Sequence, residues 1–160
     1  MPRFVVCAPY ALVMLLASSA AGPAAAADPD FGDHSSQTLT TKAWQSLERG
    51  DLAETLAFTA KCRELYAAEA AKQQQELTGF LPAEKGHDAW ALNDVGSCCF
   101  VEGQALEKAG RKADAITAYR RLVDDYGFAQ CWDTRGWFWQ PAKAAQDRLD
   151  VLEFDTAIAE

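Results

Sequence analysis

The sequence is poor in basic residues and in histidine, and both shortages exclude functions. It has 15 lysines and arginines against 23 aspartates and glutamates, a net charge of −8, and only two histidines. An acidic surface repels phosphate backbones, so nucleic acid is not expected as a partner. Without a CxxC pair or paired histidines, no metal site or cofactor is predicted. The nucleophile elbow, the HExxH motif and the phosphate-binding loop are also missing, so no catalytic residue is assigned.

Apolar runs long enough to span a bilayer are missing as well. The apolar run at residues 11–17 is short, follows Arg3 and precedes a small-residue cleavage site at residues 25–27. We therefore predict a signal peptide over residues 1–27 and a mature chain, periplasmic or secreted, with no membrane span; an uncleaved anchor is the alternative. Removing Arg3 with this segment moves the net charge from −8 to −9.

What is present is helical periodicity interrupted at glycines. After a flexible leader at residues 28–37, a single domain is predicted over residues 38–154, with a tail at residues 155–160. Its first helix is capped by Thr40 or Thr41 and ends at Gly50. Asp51 and Glu54 have the spacing of a capping box, so the second helix starts there and extends to about residue 76.

The second half of the domain repeats this organisation. A loop at residues 78–86 leads to a long third helix from Asp88, whose apolar side includes Trp90, and Gly110 ends it. A fourth helix follows at once, with one apolar stripe, and Pro141 begins a last helix. The stripe of the fourth helix consists of Ala115, Ile116, Tyr119, Leu122, Val123 and Tyr126.

The helix pair around Gly110 resembles one tetratricopeptide repeat. The resemblance is carried by Gly103, Leu106, Gly110, Ala115, Tyr119 and Leu122. It implies an all-α fold of antiparallel helical hairpins with a C-terminal capping helix. It also implies a concave groove for a protein or peptide partner, lined by Trp44 and Glu48 from the first hairpin and by Phe100, Gln104 and Lys108 from the second. The alternative is that Trp44 and Phe100 are core residues.

Four cysteines remain after the predicted signal peptide, and an even number in an exported chain favours disulfides. Antiparallel hairpins bring Cys62 and Cys131 to the level of the adjacent Cys98 and Cys99. Cys99 shares a helix face with Gly103, on the side of the fourth helix. We therefore predict the pairs Cys62–Cys98 and Cys99–Cys131. Four buried, unpaired thiols are the alternative.

The segment FAQCWDTRGWFW, residues 128–139, is the most unusual part of the chain. It resembles a segment of small exported bacterial proteins, some of which are named glucanase precursors. Its aromatic residues, Trp132, Trp137, Phe138 and Trp139, can stack on a sugar or clamp a partner, or they can seal the end of a helical stack. Hydrolysis of a glycan needs two carboxylates, for which Asp133 and Glu102 are only nominal candidates.

The sequence therefore favours a non-catalytic interaction or adaptor module of tetratricopeptide type. The alternative is a carbohydrate-binding or glycan-processing protein that uses the tryptophan-rich loop. The candidate binding residues are Trp44, Phe100, Gln104, Trp132, Trp137 and Trp139.

Overall fold

A computed structural model describes residues 29–158, so the predicted signal peptide lies outside the described residues. The described chain folds as α1 (Ser36–Arg49), α2 (Leu52–Glu76), α3 (Trp90–Lys108), α4 (Lys112–Asp125), β1 (Cys131–Asp133), β2 (Trp137–Trp139) and α5 (Pro141–Ala157). A short 3-10 turn at Ala83–Lys85 lies in the loop between α2 and α3. The prediction of a mainly helical chain is confirmed.

The same backbone turn joins α1 to α2 and α3 to α4. Gly50 and Gly110 both have φ of 74°, the left-handed conformation in which glycine carries no steric cost. In each turn the glycine N–H and the next N–H bond back to the helix: Gly50 to Leu47 and Asp51 to Ser46 in one, Gly110 to Glu107 and Arg111 to Leu106 in the other. This double closure is the Schellman motif, and it brings the chain straight into the next helix.

The helix starts agree with the sequence at α2 and differ from it at α1. Asp51 accepts a hydrogen bond from the Glu54 N–H at 3.0 Å, as predicted for a capping residue. The first helix, however, begins at Ser36 and is capped by Ser35, whose hydroxyl accepts from the Thr38 N–H at 3.2 Å. The prediction of Thr40 or Thr41 as the cap was wrong, because Ser35, five residues before Thr40, caps the helix instead.

Helix α3 is the centre of the core and packs against α1, α2, α4 and α5. Gly103 lets α4 approach closely, because a Cβ at this position would lie only 2.3 Å from Cε1 of the buried Tyr119. The predicted stripe of α4 is buried or half-buried throughout. The buried residues of α5 include Ala142, Ala145, Leu149 and Leu152. Trp90, predicted on the apolar side of α3, is instead exposed.

The aromatic loop after α4 contains a β-hairpin that the sequence reasoning treated as irregular. Strands β1 and β2 are antiparallel, with Trp132 opposite Phe138 and Cys131 opposite Trp139. The turn between them is closed by Gly136, which has φ of 102° and whose N–H bonds to Asp133 O at 2.9 Å. Three residues a strand are too few for an alternating pattern to be distinguished from a short apolar run.

Ion pairs connect the helices on the outside of the core. The Glu102 carboxylate on α3 is bound by Arg63 from α2 and by Arg121 from α4, the latter at 3.1 Å. The last helix is tied down by three more pairs, in which Arg148 meets Glu107 of α3 and two acids of α5 meet Lys112 and Arg120 of α4. Among residues 29–158 no helix combines the length and the apolar character that crossing a membrane requires.

Candidate functional site

A groove of about 1010 Å³ runs between α1, the first turns of α3 and the β-hairpin. Its walls are rich in hydroxyl groups, supplied by Ser35, Ser36, Thr40, Thr41, Ser97 and Thr134. Helix α1 contributes one wall because its residues at positions 37, 40, 41, 44 and 48 recur with helical spacing. A site of this volume is large enough for a small molecule or for several residues of a peptide.

Aromatic side chains line the groove at two depths. Near the surface, Trp90 and Trp132 are 46% and 51% exposed, and the Trp90 ring meets Tyr66 edge-on at 5.7 Å between centroids. Deeper, Trp44 donates from Nε1 to Ser97 Oγ at 2.9 Å and meets Trp139 edge-on at 6.4 Å. The deep rings are therefore fixed by their neighbours. The outer rings also have neighbours, since Trp132 contacts His87 and Phe138, but about half of each ring stays exposed to a ligand.

Asn93 and Gln130 hold the β-hairpin and the α2–α3 loop against α3. The Asn93 amide donates to Gly86 O at 2.7 Å and accepts from the Gln130 N–H at 2.7 Å. The Gln130 amide in turn bonds both the N–H and the carbonyl of Leu81. Because Asn93 lies one turn into α3, these bonds place the hairpin directly beside the start of that helix.

Asp94 is the polar group at the base of the groove. Ser36 donates to Asp94 Oδ2 at 2.5 Å, and no ion pair to Asp94 is present among the described side chains. Partial burial raises the pKa of the Asp94 carboxyl above its ordinary value, because the charged form loses part of its hydration, and the hydrogen bond from the Ser36 hydroxyl opposes this effect. The carboxylate can therefore accept further hydrogen bonds that no other residue of the described chain donates.

The structure brings three of the six candidate binding residues together. Trp44, Trp132 and Trp139 line the groove, whereas Phe100 is buried behind it, in contact with Trp44 and Trp139. Gln104 does not line the groove. Trp137 also lies outside it, where the Arg135 guanidinium covers its ring at 4.3 Å.

The predicted groove positions on the first hairpin, Trp44 and Glu48, both belong to the lining. Lys108, predicted for the second hairpin, instead borders a smaller cavity beside the α1–α2 turn. The alternative reading of Phe100 as a core residue fits its 7% exposure, whereas Trp44 is half-buried.

Sequence reasoning missed Tyr66, Trp90 and Asp94 as lining residues. Trp90, Asp94 and Ser97 are spaced i, i+4 and i+7, which places them on one face of α3. That mixture of aromatic, acidic and hydroxyl groups was the available signal. It was overlooked because Trp90 was assigned to the apolar side of α3, which was expected to face the interior.

The two carboxylates named for glycan hydrolysis do not share a site. Asp133 lines the groove, where it accepts from Arg135 Nε at 3.0 Å. Glu102 lies outside the groove lining, bound to its two arginines with 13% of its side chain exposed. The hydrogen bonds and charge of Arg135 lower the pKa of Asp133, which keeps this carboxylate ionised and unsuited to donate a proton.

All four cysteines of the described chain are free thiols. Cys62 and Cys98 are fully buried neighbours, and burial followed by the proximity of Cys62 raises the pKa of Cys98. The other predicted pair has separate surroundings: Cys99 lies near Arg63 and Arg121, whereas the Cys131 thiol donates to Asn93 O at 3.3 Å. Neither disulfide is formed in this structure, and both pairings stay predictions about the oxidised protein.

Comparisons with known proteins do not assign this chain to a class, so the class has to be argued from its own residues. No family model matches the sequence, and neither a curated protein nor a solved structure matches it. Within residues 29–158, no three histidine, cysteine, aspartate or glutamate side chains are grouped as ligands for a metal ion. The site is therefore defined as an aromatic, hydroxyl-rich and acidic groove on a helical scaffold.

Proposed function

We propose that this chain is an exported, tetratricopeptide-like interaction module without catalytic activity, and that its groove holds a segment of a protein partner. The observation that carries the proposal is the position of the groove, along the first helix of each helix pair. Lining residues come from α1 at Trp44 and Glu48 and from α3 at Trp90, Asp94 and Ser97. In tetratricopeptide proteins these are the helices that line the concave surface.

The construction of the two helix pairs supports the same proposal. Both pairs close with a left-handed glycine and the same pair of backbone bonds. In the second pair, Gly103 packs directly on Tyr119, two of the positions on which the resemblance depends. Helices α1 and α3 also contact each other, as successive first helices must if the pairs are stacked.

A site-specific photocrosslinker tests the proposal. Thr41 is exposed and lines the groove, so a photoreactive amino acid at this position in the full chain should join a partner protein in the producing cells. The matched control is Lys143, which is exposed on α5 and lies outside the groove lining. The crosslinked species should be lost when Trp132 is replaced by alanine, because the exposed ring provides contact area.

The same adduct from both positions, or no adduct from Thr41, would contradict the proposal. Loss of the adduct in a protein whose thermal melting and far-ultraviolet circular dichroism are unchanged would show that Trp132 acts in binding rather than in folding.

Glycan binding is a second candidate, and the outer wall of the groove favours it. Trp90 and Trp132 present half-exposed rings beside hydroxyl and amide groups, and such rings stack on the apolar faces of sugars. A soluble β-glucan oligosaccharide should then shift tryptophan emission, and Trp132→Ala should remove the shift. Unchanged emission at millimolar oligosaccharide would exclude this candidate, and release of reducing ends would instead indicate glycan processing.

A further inference from the structure

Among the described residues that line it, the groove has three carboxylates and, apart from His87, no basic side chain. Its lining includes Glu48, Asp94 and Asp133 but no lysine or arginine. The nearby Arg135 binds Asp133 at the tip of the hairpin and covers Trp137, outside the lining. Two of the three carboxylates are therefore free to meet a positive charge brought by a ligand.

Asp94 is the carboxylate best placed to do so. Ser36 occupies Oδ2, which leaves Oδ1 and the remaining lone pairs without a donor from residues 29–158. A half-buried carboxylate whose side chain accepts from a single hydroxyl gains from a charge-assisted hydrogen bond brought by a ligand. Burial without a compensating cation also raises its pKa.

The aromatic residues around Asp94 suit one kind of cation. Trp90 precedes Asp94 by four residues and lies on the same face of α3. Its exposed ring and that of Trp132 are flat surfaces that favour a planar, weakly hydrated guanidinium over the compact ammonium of lysine. The hairpin already contains such a contact, where Arg135 stacks on Trp137 and pairs with Asp133.

Resting on the proposed function, we propose that the groove recognises an arginine of the partner segment, with the guanidinium bound to Asp94 and stacked on Trp90 or Trp132. The occupant is thus a peptide segment that carries arginine. An acidic peptide is repelled by the same carboxylates.

Capped heptapeptides with the sequence Ala-Arg-Ala-Arg-Ala-Arg-Ala test this assignment. Binding to the full chain is followed by tryptophan emission at physiological salt, with lysine and citrulline versions of the peptide as comparisons. We expect the arginine peptide to bind at least about tenfold more tightly than the citrulline peptide, the usual effect of one charge-assisted hydrogen bond.

Two variants with the same change in charge separate the groove from the surface. Asp94→Asn should weaken binding of the arginine peptide by at least about tenfold. Asp147→Asn, at an exposed position of α5 outside the lining, should weaken it less than about twofold, since only long-range attraction changes. Trp132→Ala should also weaken binding without altering the charge.

Equal binding of the citrulline peptide, equal loss in both aspartate variants, or no binding of the arginine peptide would overturn the arginine assignment. Binding of a β-glucan oligosaccharide but of no peptide would overturn it as well and favour the second candidate. Failure of the crosslink at Thr41 is a separate result that contradicts the proposed function itself, whatever the heptapeptides do.

Discussion

Replacing Gly103 with alanine tests the packing on which the helix pair α3–α4 depends. The added Cβ would lie 2.3, 2.6 and 2.7 Å from three carbons of the Tyr119 ring. Carbon atoms in contact are normally about 3.5–4.0 Å apart, so the ring has to move by about 1 Å or more. Tyr119 is fully buried, its hydroxyl donates a hydrogen bond to Glu107 at 3.2 Å, and its ring contacts Phe100. The ring therefore has little space into which it can move.

Two opposing effects set the size of the change. Alanine is favoured over glycine inside a helix by about 1 kcal/mol, whereas overpacking a fixed core costs about 1–3 kcal/mol or more. Because the three closest atoms belong to one buried ring, the overlap outweighs the helix preference. We expect the free energy of unfolding to fall by about 2 kcal/mol and the melting temperature by roughly 5–10 °C.

Thermal and urea unfolding measure this change, and two further variants control it. Gly79→Ala adds a Cβ with no atom within 4 Å and should change the free energy by less than about 0.5 kcal/mol. In a Tyr119→Ala background, which already lacks the ring, Gly103→Ala should no longer destabilise. A Gly103→Ala protein as stable as the natural one, or an undiminished loss in the Tyr119→Ala background, would refute the reasoning.

Three other variants or treatments probe the charges and the thiols. Asp94→Asn should raise the free energy of unfolding at pH 7. Folding raises the pKa of Asp94, so this group stabilises the fold fully below its ordinary pKa of 3.8, and that stabilisation is lost as pH rises through the pKa of the folded state. The urea unfolding curves of the two proteins should therefore converge near pH 3. Glu102→Gln leaves two arginines without their shared carboxylate and should cost about 1–3 kcal/mol by urea unfolding, whereas Glu153→Gln, in an exposed pair, should cost less than about 1 kcal/mol. Oxidation should join Cys62 to Cys98 first, so mildly oxidised, denatured protein should take two alkyl groups by intact mass; four would contradict this expectation.

The helix ends were predictable because glycine and capping residues act locally. Gly50 and Gly110 adopt the left-handed conformation at the predicted helix ends, and Asp51 caps α2 as its spacing with Glu54 indicates. The start of α1 was missed because two cap candidates lie within a few residues of each other. Whether Ser35 or Thr40 caps the helix depends on how the helix packs, and a local sequence pattern holds no information on that packing.

The groove was predictable only in part, because it is formed by residues far apart in the chain. Trp44 was predicted as a binding residue from its position on a helix, and Trp132 from the many aromatic residues of its loop. Each prediction needed only local information. Ser36 and Asp94, in contrast, meet across 58 residues. Their bond depends on how α1 packs on α3, which is a property of the folded chain.

The predicted burial of Trp90 was wrong for a related reason. A tryptophan on an amphipathic helix is normally assigned to the core, yet here the ring is 46% exposed and in contact with Tyr66 of α2. Exposed apolar side chains are a reason to look for a ligand where they cluster, as Trp90 does with Tyr66 and Trp132 along the groove.

The ion pairs that fasten the last helix make its docking depend on the medium. Two of the three pairs are formed by side chains that are about half exposed, so dissolved salt screens them, with a Debye length that shortens from about 30 Å at 0.01 M to about 3 Å at 1 M. The leucines and alanines beneath are indifferent to that screening. Rising ionic strength should therefore weaken the ion pairs at the edge of the contact between α4 and α5, while the buried apolar contact persists. Backbone amides near the C-terminal end of α5 should then exchange with solvent faster in concentrated sodium chloride.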